Sequence, residues 1–130
     1  MTRELAENLF ATLRQVTGDG VGITRDSYGR GESAALDIIE TAARAYGLEA
    51  TRDAAANLAV TLPGSDPELP VLACGSHLDS VPQGGNYDGA AGVIAGLLAL
   101  IRMRAEGFVP RRTIRLYGLR GEESAAFGRA

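Results

Sequence analysis

A chain of 130 residues fits one domain or part of a larger one. Its 45% hydrophobic content is enough for a core, and its net charge of −3 offers no basic surface for phosphate backbones, which excludes nucleic acid as a partner. The longest apolar run, Gly89 to Ile101, is shorter than the roughly 20 residues that span a bilayer, which excludes a membrane protein of the helical kind.

The first expected element is a helix over about residues 2–16, where Leu5, Leu9, Leu13 and Val16 form one apolar stripe. Acidic residues interrupt it and no continuous apolar segment follows, so it reads as a cytoplasmic start and not as a signal peptide. The Gly-rich connector GDGVGITRDSYGRG leads to a second helix over about 33–46, built on Leu36, Ile39, Ala43 and Tyr46, with Gly47 at the position of a left-handed cap. Strand character follows, weakly in LEATRD and more clearly in NLAVTL, where Leu58, Val60 and Leu62 alternate with small or polar residues. PGSDPELP is a surface turn. VLACG then reads as a central strand covered on both faces, which makes Cys74, the only cysteine, a buried structural thiol without a disulfide partner.

The loop GSHLDSVPQGGNYDG contains His77, the only histidine. A long buried helix over about 89–105 comes next, closed by Gly107, and RRTIRLYGL returns to strand with Ile114 and Leu116 on one side and Thr113, Arg115 and Tyr117 on the other. This order predicts an α/β domain with a mainly parallel sheet flanked by helices. VLACG and TIRLYG are expected as parallel neighbours joined by a helical crossover. Ligands of such sheets gather beyond the carboxyl ends of the strands, so the loops after these two strands should meet.

Those loops carry a metal-site chemistry. His77 supplies an imidazole; Asp79, two residues on, lies on the same side of an extended segment and can accept a hydrogen bond from the ring nitrogen that faces away from a metal. Asp88 stands at the expected N-cap of the long helix, and cap and ligand roles can coexist there because a carboxylate has two oxygens. Glu122 and Glu123 are adjacent carboxylates at a strand end, so one can bind a cation while the other moves protons, although a helix N-terminus rich in glutamate gives the same pattern. Arg25, Tyr28, Tyr87 and Arg120 are assigned to packing or the surface. One histidine leaves little room for a Ser-His-Asp triad, and no phosphate loop or dinucleotide fingerprint is present.

GSHLDSVPQGGNYDGAAGV followed by RLYGLRGEESAAFG resembles the hydantoinase/carbamoylase family of metal-dependent amidases, which belongs to a wider clan of di-metal aminoacylases and carboxypeptidases. DGVGITR and RDAAANLAVTLPG extend the likeness over nearly the whole chain. The resemblance implies two divalent ions (zinc, manganese, cobalt or nickel), with His77 on one, Glu123 on the other and Asp88 bridging both. It makes Glu122 the general base toward metal-held water and Asp79 the residue that orients His77.

The substrate class it implies is an N-carbamoyl amino acid or another ureido or linear amide compound. It further implies that residues 1–130 are the N-terminal part of a catalytic domain, with two more histidine ligands and a dimerisation domain downstream and a homodimer as the full-length form. Two alternatives remain: a metal-dependent dipeptidase or aminoacylase, and an inactive remnant that acts only as an interaction module. A sheet cut after TIRLYG should leave an unpaired edge and expose part of the buried helix, predicting an isolated chain that self-associates or is only marginally folded.

Overall fold

A computed structural model describes residues 2–128. In chain order the elements are helix α1 (Thr2–Thr17), helix α2 (Arg30–Ala45), strands β1 (Glu49–Arg52), β2 (Leu58–Leu62) and β3 (Leu72–His77), helix α3 (Ala90–Ala105), strand β4 (Ile114–Leu119) and a short 3-10 turn over Ser124–Phe127. Each expected helix and strand is present within a few residues of its predicted bounds. Gly47, at φ +73°, closes α2 with its own N–H on Arg44 O and that of Leu48 on Ala43 O.

The sheet order is β1-β2-β4-β3. Here the expectation of a mainly parallel sheet is corrected: β1–β2 and β2–β4 are antiparallel, and only β3–β4 is parallel. The physical reason lies in the connections. The segment 53–57 is too short for a crossover and folds β2 back on β1, whereas α3 carries the chain over the sheet between β3 and β4. The sheet is nevertheless part of a mixed α/β domain flanked by helices, as expected.

One hydrophobic cluster joins α1, α2 and α3 to the sheet through Leu13, Leu36, Ile39, Leu58, Val60, Leu97, Ile101 and Leu116. β2 shows the alternation that produces this, its Leu58, Val60 and Leu62 buried and Ala59 and Thr61 only half-buried. β3 is not the central, doubly covered strand expected. It lies at the sheet edge, Leu72 to Gly75 are exposed, and Cys74 is exposed with them. β4 is paired on both sides, between β2 and β3. Among the described residues no helix is long and apolar enough to cross a membrane.

Candidate metal centre

Parallel pairing of β3 with β4 sets His77 opposite Leu119, so both strands end on the same rim of the sheet. The loops that follow bring the histidine and the acidic pair together. His77 Nε2 stands 3.9 Å from Asp88 Oδ1 and 3.8 Å from Glu122 Oε2. One ligand atom each from His77, Asp88 and Glu123 lies within 4.8 Å of the others. All five residues singled out in the sequence, His77, Asp79, Asp88, Glu122 and Glu123, therefore gather at one rim.

The imidazole is held by its other nitrogen. Nδ1 is 3.1 Å from Asp79 Oδ1 and 3.1 Å from Asp79 O, a carboxylate and a carbonyl that can only accept, so Nδ1 carries the proton. The Nε2 lone pair is thereby turned toward Asp88 and Glu122. Asp79 itself is fully buried and its second oxygen is also occupied. Oδ2 accepts the Ser27 hydroxyl at 2.5 Å and the Glu123 N–H at 2.8 Å. One carboxylate thus ties the connector after α1, the histidine and the backbone of the acidic pair to each other.

Asp88 does not cap α3. The cap position is Gly89, at φ +64°, with no side-chain hydrogen bond, which leaves the Asp88 carboxylate exposed at the rim. A Cβ on residue 89 would sit 2.5 Å from His77 Cε1 and 2.6 Å from Nδ1, so the helix start is packed directly on the imidazole. Behind this loop is Arg25, buried to 0% exposure; it donates to Leu78 O at 2.6 Å, to Asn86 Oδ1 at 3.2 Å and to Asp88 O at 3.4 Å. Burial pulls its guanidinium below the ordinary pKa, and the charges of Asp88 and Asp79 oppose that shift.

Partial burial, then the charges of Glu122 and Asp88, push the Glu123 carboxyl above its ordinary pKa; His77 pulls it down and Asp79 adds slightly to the rise. A crowd of carboxylates that raises one member is a site that a cation would relieve. The donor set suits such an ion, because neutral imidazole and carboxylate oxygens accept zinc, manganese, cobalt and nickel alike. Ligands on a shared zinc ion lie about 3.4 Å apart, as follows from bonds near 2.0–2.1 Å in a tetrahedron, and small side-chain rotations close the remaining gap. The residues present fit a divalent cation.

Sequence reasoning did not single out Glu32, Ser27 or Asn86 as parts of this rim. Glu32 had a readable signal, since it continues the buried stripe of Leu36, Ile39 and Ala43 at helical spacing. The expected helix began at Ser33 and left it out. Arg25 and Arg120 are packing residues, as expected.

The chain is also similar to known proteins. Residues 57–129 match the family model described as Peptidase family M28. An N-carbamoyl-L-amino-acid amidohydrolase of Paenarthrobacter aurescens is 37% identical over 95% of this chain and 30% of its own length. An N-carbamoyl-L-amino acid amidohydrolase of Geobacillus stearothermophilus is 39% identical over 82% of this chain and 26% of its own. Among solved structures, a hydantoinase/carbamoylase family amidase from Burkholderia ambifaria superposes with a TM-score of 0.87 at 26% identity, over 95% of this chain and 31% of that one. The chain therefore spans less than a third of the length of these relatives, and the likeness to hydantoinase/carbamoylase amidases expected from its motifs is found.

Proposed function

The chain belongs to peptidase family M28, and from that premise we propose that it contributes the His77, Asp88 and Glu123 side of a metal-dependent hydrolase of linear ureido or amide C–N bonds. N-carbamoyl-L-amino acids are the substrate class, with allantoate-like ureido compounds next to them. The observation that carries the reading is the convergence of one ligand atom each from His77, Asp88 and Glu123 within 4.8 Å at the end of two parallel strands.

His77 would hold one divalent ion, Glu123 a second, and Asp88 would bridge the two. Three donors suffice for one cation with an open position, whereas a pair needs donors beyond these three. When bound, such ions supply Lewis-acid chemistry, polarising the scissile carbonyl. The chain's own residues do the rest. Asp79 keeps the proton on His77 Nδ1 and so keeps Nε2 available. Glu122, exposed and 3.8 Å from Nε2, takes a proton from the attacking water and returns it to the leaving nitrogen as the C–N bond breaks. For an N-carbamoyl amino acid the products are the amino acid, carbon dioxide and ammonia. By likeness to the family alone, the full-length form is proposed to be a homodimer.

Glu122→Gln in a full-length protein carrying this segment tests the assignment. Hydrolysis of N-carbamoyl substrates should fall by about 10²- to 10⁴-fold while bound metal, read by mass spectrometry, is retained. Undiminished turnover would remove Glu122 from the role of base.

A further inference from the structure

Outside the cluster itself, Glu32, in the first turn of α2, is a buried carboxylate with both oxygens engaged. Its carboxylate is buried to 0% exposure, so each of its contacts is made away from water. Oε1 accepts the Gly121 N–H at 2.8 Å; Oε2 accepts Arg120 Nε at 2.6 Å and the Tyr28 N–H at 2.8 Å. Arg120 also donates to Ser33 Oγ at 2.9 Å, and its guanidinium lies 4.9 Å from the Tyr28 ring centre. Its backbone N–H is taken by Asn57 Oδ1 at 2.8 Å.

The loop after β4 has no ladder to hold it, yet its N–H groups at Gly121 and Glu123 are each bonded to a buried carboxylate, Glu32 and Asp79. Glu122 lies between them. We infer that Glu32, neutralised by Arg120, is a positioning residue that fixes the Gly121–Glu123 backbone and so aims the acidic pair at His77. This rests on the metal-centre reading above, and Glu32 acts only through the loop backbone.

Replacing Glu32 by glutamine keeps the shape but leaves one accepting oxygen for three donors. The charged Arg120 side takes that oxygen, and the amide NH₂ then faces the Gly121 N–H donor to donor. The test uses the 130-residue chain. Amide exchange at Gly121 and Glu123 is followed by NMR without metal, and zinc is titrated calorimetrically. In Glu32→Gln, protection of both amides should fall at least about tenfold and zinc affinity by about 10- to 100-fold. Arg120→Met should move both readouts in the same direction, and the double variant should lose no more than Glu32→Gln alone, because the pair acts as a unit.

Leu13→Ala, a truncation in the α1 core, provides the comparison for general loss of stability. An equal drop in zinc affinity there, unchanged protection in Glu32→Gln, or unchanged zinc binding with lost protection each overturns the assignment. If Glu32→Gln does not fold, Arg120→Met decides by the same readouts. A zinc isotherm that His77→Ala leaves unaltered instead overturns the metal centre, and this assignment with it.

Discussion

Partial burial and the charges of Glu122 and Asp88 lift the Glu123 carboxyl above its ordinary pKa, which sets a proposed metal ligand against the stability of the fold that presents it. Between the ordinary and the raised value, the folded chain binds more protons at this group than the unfolded chain. Stability therefore falls as pH rises through that interval, and the deficit persists above it. Glu123→Gln removes the deficit without removing the backbone N–H that Asp79 accepts. At neutral pH the variant should be as stable as the parent or slightly more so, within about 0.5 kcal/mol, and the gap should vanish on acidification below the carboxylate range. Urea denaturation across pH reads this directly. A variant less stable at neutral pH, with the difference growing as pH rises, would contradict the sign. The same variant should lose zinc affinity, because it removes one of the three donors.

At the scale of elements, the start of α3 couples helix geometry to the imidazole. Gly89 occupies φ +64°, where an L side chain is strained, and a Cβ there would lie 2.5 Å from His77 Cε1. Gly89→Ala should cost about 1–3 kcal/mol in backbone strain and displace the ring, so stability and zinc affinity fall together. Gly107, at φ +69° beyond the other end of α3, has nothing within 4 Å of the same position. Gly107→Ala should show the backbone cost by thermal melting and leave zinc affinity intact; equal zinc losses in the two variants would show that the His77 contact does not matter. These contacts also mark what the chain itself disclosed. Leu9 and Leu13, or Leu58, Val60 and Leu62, announce their elements because burial of one face imposes a period on the residues. Pairing direction has no such local imprint, and the antiparallel turn of β2 onto β1 and the return of β4 between β2 and β3 came only with the folded chain. For the same reason Cys74, in an apolar run, looked buried although its strand lies at an edge. The convergence of His77 with the acidic residues was legible because His77 and the Glu122–Glu123 pair follow strand ends, while Glu32 reaches across 89 residues to Gly121 through a backbone N–H that carries no side-chain signal.

For the whole molecule, the decisive asymmetry is between the two faces and edges of the sheet. Three helices bury one face in a single cluster, and among the described residues β3 stands at an edge with no strand beside its outer N–H and C=O groups. Leu72 is 54% exposed and Val71 before it 40%, and neither charge nor proline falls within Leu72–His77 to discourage pairing with another strand. This open β3 edge is the one from which self-association is predicted. Light scattering on the isolated chain should show mass rising with concentration. Leu72→Lys places a charge on the exposed edge without touching the core, so it should shift the population toward monomer at unchanged far-ultraviolet circular dichroism. A parent chain that is a monodisperse monomer at every concentration, with a sharp cooperative melt, would mean that the open strand is too short and too twisted to template a second one.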